Sequence, residues 1–445
     1  MKTPALVFLL AVGLSLTPKL CGQATPLPAA VTPDAERALN AVAADYVKLV
    51  LAVGQHDSDY VDAYYGPPEW KQQAERTKKP LTELTATAQA LSKQLQTVEP
   101  SRLQGLLRLR HNFLATQLRS VEGRISLLAG RKLPFDEESR LLYDAVLPEV
   151  PESHFAAVRA KLNQLLPGEG ALADRLEQFE KRFVVPKDKV EAVMRAAIAE
   201  CRRRTRARIE LPEKEDFKLE FVTGKPWNAY NWYKGGAQSV IQVNLDLPFR
   251  MTQAIGLAAH EGYPGHHVYN ALLEQELVGK RGWTEYQVYP LYSPQSVIAE
   301  GSADFGIEVM FPMAERVQFA REVLFPLAGL DPAEAARYFA VLHLAGFELA
   351  SARGLIQRRY VDGRLGREEA LRLLSAEALL PRARAEKRLE FAAKYRAYIV
   401  TYGAGYRLVR NYVEARGGAA GNEARRWEVF RDLLSAPMMP ADLRP

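Results

Sequence analysis

The octapeptide His260-Glu-Gly-Tyr-Pro-Gly-His-His267 constrains the fold of this 445-residue chain more than any other segment. A helix through this window meets an obstacle at Pro264, because proline lacks a backbone donor and its ring clashes with the carbonyl four residues earlier. Gly265 next to it tolerates unusual dihedral angles. The sequence therefore predicts a helix that breaks or bulges at this point.

The same window is rich in metal-binding side chains. It holds three of the seven histidines of the chain, next to Glu261. Imidazole nitrogen is a favoured zinc ligand, and a glutamate beside a ligand histidine can take a proton from a metal-bound water. We predict a zinc site with Glu261 as its general base. The competing interpretation is a helix end whose histidines only cap or pack.

The second histidine ligand depends on the form of the break. The familiar His-Glu-x-x-His spacing has a proline at its second histidine position here. On an unbroken helix His267 lies about 10.5 Å further along the axis than His260, which is hard to reconcile with zinc–nitrogen bonds of about 2.0–2.1 Å. His266 needs the smaller rearrangement. We predict His260 and His266 as ligands, and His267 stays open as the alternative.

A second group of carboxylates follows the histidines. Ser293-Pro294 begins a helical pattern in which Glu300, Asp304 and Glu308 share one face at i, i+4 and i+8. Carboxylates stacked in this way repel one another unless a cation or donors compensate. We predict Glu300 as the third zinc ligand and Asp304 as acceptor from a ligand histidine. The alternative is a solvated acidic face, and Glu308 is interpreted as structural.

Two aromatic segments are further candidates. Tyr402-Gly-Ala-Gly-Tyr406 combines flexible backbone with two phenols, and a phenol such as that of Tyr406 can donate to a developing oxyanion. Aromatic packing at a helix start is the competing interpretation. The residues Trp227, Tyr230, Trp232 and Tyr233 are interpreted as an aromatic loop that lines a substrate cleft or simply packs.

Helical periodicity dominates the rest of the chain. Helices are predicted from Thr32-Pro33-Asp34 to Val53, from Asp331 to about Arg353, and at 82–98, 101–121, 152–166, 170–182 and 187–208. Strands are predicted at Phe217–Thr223 and Ser239–Leu245. The second strand lies just before the histidines, so a small sheet beside the site is expected. One interpretation is that this sheet offers an edge to which an extended peptide can add. The other is that it is only a minor hairpin packed on helices.

The first 24 residues differ from the rest. Lys2 precedes an apolar run from Ala5 to Leu16, which is typical of a secretory signal cleaved after Ala24. No membrane anchor is expected after cleavage. Removal of two lysines and no acidic residue takes the net charge from +6 to +4. This charge is dispersed along the chain, which argues against nucleic-acid binding. Cys201 is then the remaining cysteine, so no internal disulfide is expected.

The histidine block followed by Glu300-Gly-x-Ala resembles a widespread, mostly uncharacterised bacterial family of unknown function. That family is grouped with the zinc metallopeptidases of the Glu-zincin type. Glu300 and Asp304 are also similar to the glutamate–aspartate helix of angiotensin-converting-enzyme-like and thermolysin-like peptidases. This resemblance implies a largely helical, two-walled fold around a deep cleft. It also implies that His260, His266 or His267, and Glu300 are the ligands, that Glu261 is the base and that Asp304 steadies a ligand histidine. Pro264 departs from the pattern of those peptidases.

Together these observations predict a mainly α, zincin-like protein. We expect a signal peptide at 1–24 and one unit at 25–445, with an N-terminal helical wall at 25–210 and the metal-site half at 211–445. The predicted function is an exported, zinc-dependent peptidase that binds a peptide substrate. The alternatives are a zinc amidase or hydrolase acting on a non-peptide bond, and a peptide-binding protein without catalysis.

Overall fold

The computed structural model describes residues 33–225 and 227–444. The predicted signal peptide therefore lies outside the described residues. Helices account for 68% of the structure, and five short strands form two small sheets within the described part. The predicted mainly α fold with a small sheet is confirmed. The division into two halves and the deep cleft stay predictions.

The helices follow one another through short turns. In chain order the described α-helices are α1 Pro33–Val53, α2 Pro68–Arg76, α3 Leu81–Gln96, α4 Gly105–Leu128, α5 Phe135–Tyr143, α6 Glu152–Leu165, α7 Leu172–Lys181, α8 Val190–Arg206, α9 Met251–Leu257, α10 His266–Leu273, α11 Pro294–Met310, α12 Met313–Phe319, α13 Phe325–Ala328, α14 Ala335–Leu342, α15 Ala350–Val361, α16 Arg367–Ala376, α17 Arg382–Tyr395, α18 Val400–Ala415 and α19 Glu423–Leu434. Shorter 3-10 and π turns lie between several of them, for example Ala258–Gly262, His343–Glu348 and Arg396–Ile399.

The strands are β1 Val61–Tyr64, β2 Asp216–Val222, β3 Ala229–Gly235, β4 Gln238–Asn244 and β5 Val288–Pro290. The larger sheet has the order β2-β4-β3, with β2 parallel and β3 antiparallel to β4. In the smaller sheet β1 pairs antiparallel with β5. The interpretation of the aromatic segment as a loop is wrong for Tyr230, Trp232 and Tyr233, because these residues lie on strand β3. Tyr230 and Trp232 alternate with their neighbours and stack on one face, at 4.5 Å between ring centroids.

The helix predicted from Asp331 to about Arg353 is present, runs on to Val361 and contains a π turn. The Asp331 carboxylate caps the start by accepting from the backbone N–H of Ala333 at 2.9 Å, as its position predicts. The chain then continues through α14, a π turn and α15. The stretch Pro332–Val361 is long and apolar enough to cross a membrane, with 39% of its apolar window buried inside the protein. Tyr338, Val341 and Leu349 from it are fully buried in the core.

Helices α11 and α18 lie in backbone contact. A Cβ atom built on Gly301 would lie 2.3 Å from the carbonyl carbon of Gly405, and one on Gly405 would lie 2.4 Å from the Val297 oxygen. Glycine permits this approach because it has no side chain. The contact places Glu300 of α11 beside the tyrosines at the start of α18.

Candidate metal centre

The helix that begins as α9 breaks between the histidines. After α9 the chain makes the π turn Ala258–Gly262, leaves helical geometry at Tyr263 and starts again as α10 at His266. A Cβ atom on Gly265 would lie 1.9 Å from the His260 carbonyl oxygen, so the chain can approach that carbonyl only with glycine at this position. The break brings the rings of His260 and His266 to 4.7 Å between centroids.

Glu300 completes a group of three potential ligands with these histidines. One ligand atom from each of His260, His266 and Glu300 lies within 4.8 Å of the others. Glu300 Oε2 is 3.2 Å from His260 Nε2 and 3.8 Å from His266 Nε2. Both histidines are half-buried, and Glu300 is buried. The three residues come from the π turn, α10 and α11, and they converge as the sequence predicted, while their role as ligands stays a proposal.

The two oxygens of Glu300 have different surroundings. Oε1 accepts a hydrogen bond from the Tyr398 hydroxyl at 2.7 Å. Oε2 is buried and has no hydrogen-bond partner among the described residues. A buried carboxylate oxygen normally has a donor or a cation beside it. Burial favours the protonated carboxyl, but His260, His266 and Tyr398 outweigh it and lower the pKa of Glu300. The orphaned oxygen therefore faces the position where a cation fits.

Asp304 orients the first histidine. Its Oδ1 lies 2.9 Å from His260 Nδ1, which leaves Nε2 directed at Glu300. Burial disfavours a charged ring, yet the bond to Asp304 and the adjacent carboxylates raise the pKa of His260 well above its usual value. Burial lowers the pKa of His266 to about 4.

Glu261 is buried with its carboxylate free of hydrogen bonds to the described residues. Its backbone carbonyl accepts from the Asn231 amide on β3 at 2.7 Å, which ties the π turn to the sheet. Burial raises the pKa of Glu261 to about 7, and Glu300 and Asp304 act in the same direction while His260 opposes them. A carboxylate with this pKa can both accept and return a proton near neutral pH.

His267 lies outside the three-residue group. The structure buries it completely, with Nε2 at 3.1 Å from Glu215 Oε2 and Nδ1 at 2.9 Å from the Ser239 hydroxyl. Tyr263 also donates to Glu215 Oε2, at 2.5 Å. The alternative role of His267 as a metal ligand has no support from this geometry, because both of its ring nitrogens bond to Ser239 and Glu215. Glu215 was not singled out in the sequence, since only the fold brings it to the histidine block.

Among the tyrosines of this region, Tyr398 contacts the three-residue group and Tyr406 does not. Tyr406 donates to Glu308 Oε1 at 2.6 Å, so the structure pairs this phenol with a carboxylate outside the three-residue group. Tyr398 reaches Glu300 instead. The phenol of Tyr402 has no hydrogen-bond partner in the described chain and lies in the field of Glu300 and Asp304. Burial, followed by the charge of Glu300, raises the pKa of Tyr402 well above its usual value.

One further acidic residue lies near the group. Asp62 on β1 accepts a hydrogen bond from the Tyr230 hydroxyl on β3. Burial raises its pKa to about 7, and the negative charges of Glu300 and Glu261 add to this effect. No motif surrounds Asp62 in the sequence, and only the contact between the two sheets reveals its position.

No model of a known protein family matches this chain, and no curated protein matches it either. Among solved structures, the chain resembles a protein from Colwellia psychrerythraea provisionally named a lipoprotein, at 15% identity and a TM-score of 0.52. That match covers 81% of this chain and 65% of the Colwellia protein, so the chain spans about two thirds of its length. The likeness shows a shared fold.

Two more distant solved structures also match. A protein of unknown function from Shewanella oneidensis, again provisionally named a lipoprotein, is 13% identical, covering 83% of this chain and 79% of that one, with a TM-score of 0.44. An M32 carboxypeptidase from Deinococcus radiodurans R1 is 13% identical, with 90% of each chain covered and a TM-score of 0.41. At these scores neither match decides the function, and the function is argued below from the site.

Proposed function

We propose that the protein is an exported, zinc-dependent peptidase. The observation that carries this proposal is the convergence of His260, His266 and Glu300 around the orphaned oxygen of Glu300, with the free carboxylate of Glu261 next to them. Export is supported by the signal-like N-terminal segment of the sequence.

The donor set fits zinc. Two histidines and one glutamate form a known catalytic zinc set that leaves a fourth position open. Tetrahedral zinc with bonds of about 2.0–2.2 Å holds its ligand atoms about 3.3–3.5 Å apart. The observed separations of 3.2 and 3.8 Å from Glu300 Oε2 to the two Nε2 atoms are close to this spacing. Asp304 supports the assignment, because a ligand histidine usually donates its other nitrogen to a carboxylate.

Bound zinc polarises a carbonyl and lowers the pKa of water to about 7. The protein's own residues supply the remaining chemistry. Glu261 accepts the proton of the attacking water and returns it to the leaving amine, a role for which its carboxylate, free of hydrogen bonds to the described residues, is available. The hydroxyl of Tyr402 donates a hydrogen bond to the oxygen of the scissile carbonyl as negative charge develops on that oxygen. Tyr398 and Asp304 hold Glu300 and His260 in place.

A peptide substrate is supported by the position of the larger sheet. Strand β3 lies at an edge of this sheet and contacts the π turn through Asn231 and Glu261. An extended peptide can add to a sheet edge through main-chain hydrogen bonds. A peptide placed along β3 would lie beside the π turn that carries Glu261.

The test is the substitution Glu261→Gln, with Glu137→Gln, an exposed residue, as a matched control. Glutamine keeps the size of the side chain but cannot take a proton, so we expect folding and zinc content to be unchanged. Peptide turnover should fall about 100-fold or more. Zinc content is measured by elemental analysis and turnover by mass spectrometry on a mixed peptide library. Undiminished cleavage by the Glu261 variant, or no cleavage by the zinc-loaded native protein, would contradict the proposal.

A further inference from the structure

Asp62 on β1 is a half-buried carboxylate that the proposed reaction does not use. Its Oδ1 accepts a hydrogen bond from the Tyr230 hydroxyl on β3. Its other oxygen, Oδ2, has no hydrogen bond to a described residue, and no lysine or arginine nitrogen of the described chain lies within 4.0 Å of the carboxylate. A carboxylate removed from water normally has a cation or several donors beside it. Asp62 therefore lacks a partner for its charge.

On one side, Asp62 is connected to the π turn of the metal centre through β3. Tyr230 is followed on this strand by Asn231, whose amide donates to the Glu261 carbonyl at 2.7 Å. Consecutive Cα atoms are about 3.8 Å apart, so neighbouring residues of one strand hold both Asp62 and the turn. The same turn carries His260.

On the other side, β1 is connected to α11 through β5. Ala63, next to Asp62, pairs with Tyr289 of β5. The Tyr289 hydroxyl donates to Ser296 Oγ at 2.9 Å, and Ser296 lies about one turn before Glu300 on α11. Asp62 therefore lies on a strand that is held between β3 and the helix that carries Glu300.

The charges of the metal centre act on Asp62, as this position predicts. Burial, followed by the negative charges of Glu300 and Glu261, raises the pKa of Asp62 to about 7, and Lys234 opposes this shift. A carboxyl whose pKa is raised by burial and by like charges is short of positive charge. A cationic group beside it would favour its ionised form.

A cavity of about 380 Å³ makes Asp62 accessible to a ligand. Residues from the end of α1, from β1, from α2 and from β3 line it, and they include Asp62, Ser58 and Trp232. This volume falls within the range of about 300–1,000 Å³ that is typical of ligand sites. Lys71 and Lys234 also line the cavity, but neither nitrogen lies within 4.0 Å of Asp62, and that of Lys234 lies over the Trp232 ring, 5.5 Å from its centroid.

The elements that hold β1 carry further acceptors without donors. The bond to the Glu261 carbonyl fixes the amide nitrogen of Asn231, and the Asn231 oxygen is buried without a partner in the described chain. Glu300 Oε2 is also buried without a partner there, and a bound zinc would satisfy it. The oxygens of Asp62 and Asn231 then remain, and a ligand that satisfies them must donate. An ammonium group brings three donors, no acceptor and one positive charge.

We propose that Asp62 binds a primary ammonium group of the peptide substrate, which is either a free amino terminus or a lysine side chain. This inference rests on the proposed peptidase function and names its substrate class. Both sources of the ammonium offer the same chemistry, a charge-assisted hydrogen bond that is about twice as strong as a neutral one. Acetylation of the amine removes its charge and leaves Asp62 without a cation.

The experiment compares two sets of peptides with the zinc-loaded native protein. The first set is one hexapeptide with a free amino terminus and the same hexapeptide with an acetylated terminus. The second set consists of acetylated hexapeptides in which lysine or norleucine occupies each position in turn. In at least one set, we expect kcat/KM for the peptide with the ammonium to exceed that for its neutral counterpart by about 10–100-fold. The set that shows the preference identifies the source of the ammonium, and equal values in both sets would overturn the proposal.

Asp62→Asn tests whether this carboxylate causes the preference. Asparagine keeps the size of the side chain and an acceptor for Tyr230 but removes the charge. It should reduce kcat/KM for the peptide with the ammonium to near that of its neutral counterpart, and an undiminished preference would contradict the proposal. Asp45→Asn, exposed on α1, is the matched control and should change neither value. Asp62→Glu keeps the charge, should retain part of the preference and serves if the asparagine variant folds poorly.

A binding measurement separates this inference from the proposed function. Calorimetry on the zinc-loaded Glu261→Gln protein should show the peptide with the ammonium bound about 10–100-fold more tightly than its neutral counterpart. Equal binding within both sets would overturn the ammonium site while leaving the peptidase proposal intact. Preferential binding that Asp62→Asn abolishes, without any turnover by the native protein, would overturn the peptidase proposal and support the ammonium site.

Discussion

Two neighbouring histidines in this chain have opposite surroundings. His266 faces Glu300 and lacks any other hydrogen-bond partner for its ring within the described chain, whereas His267 bonds through both nitrogens to Ser239 and Glu215. Consecutive residues on a helix point about 100° apart, so only one of the two can face Glu300. The sequence left both open because the direction of the break at Pro264 decides between them.

The two histidines therefore have different predicted phenotypes. His266→Ala removes a proposed ligand, and we expect zinc to be lost on dialysis while the fold is retained. His267→Ala leaves the proposed ligands in place and removes partners of buried polar groups, which should lower the free energy of unfolding by about 1–3 kcal/mol. Zinc content and urea unfolding of both variants check this. Loss of zinc from the His267 variant alone would reverse the assignment, and His154→Ala, far from this block in the sequence, is the control.

At the scale of elements, the site depends on two close backbone approaches. Gly265 allows the chain to fold back onto the His260 carbonyl, and Gly301 allows α11 and α18 to touch. The first approach aligns the two histidines, and the second aligns Glu300 with its tyrosine donors. The sequence predicted the break from the Pro-Gly pair, but nothing in it indicated that α11 packs on α18. Such contacts depend on residues about 100 positions apart.

Alanine at the two helical glycines near this contact should act in opposite ways. Gly301→Ala places a Cβ atom 2.3 Å from the backbone of Gly405, which must move. We expect a loss of about 1–3 kcal/mol in the free energy of unfolding and weaker zinc binding. Gly403→Ala meets only Leu147 at 3.8 Å and should be neutral or stabilising by up to about 1 kcal/mol.

Thermal unfolding and zinc titration of the two glycine variants provide the measurement. Both substitutions change one glycine to alanine in a helix, so the difference between them isolates the helix contact. Equal melting temperatures and equal zinc affinities would show that α11 and α18 do not need this approach.

At the scale of the whole molecule, Glu215 connects distant parts of the fold. Its carboxylate accepts from Tyr263 and Arg206 and contacts His267, which joins α8 to the break in the histidine segment. Ser239 on β4 holds the other nitrogen of His267. Burial alone would raise the pKa of Glu215, but these donors outweigh it and lower the pKa to about 2.

This pKa predicts how stability depends on pH. A carboxyl with a folded pKa below its usual value stabilises the fold above that usual value, and the contribution is lost as pH falls toward 2. Between pH 6 and pH 3 the native protein should lose about 2 kcal/mol more than Glu215→Gln. Urea unfolding of both proteins at several pH values measures this difference. Parallel pH profiles would show that Glu215 is not the residue responsible.

The sequence by itself determined the helical class, the break in the histidine segment and the candidate residues His260, His266, Glu300 and Asp304. It could do so because periodicity, proline geometry and ligand chemistry are local properties of the chain. Only the tertiary structure placed His266 rather than His267 beside Glu300, paired Tyr406 with Glu308, made a strand of the aromatic segment and brought Glu215 to the histidine block. These outcomes depend on which helices and strands meet, and that is set by packing between residues far apart in sequence.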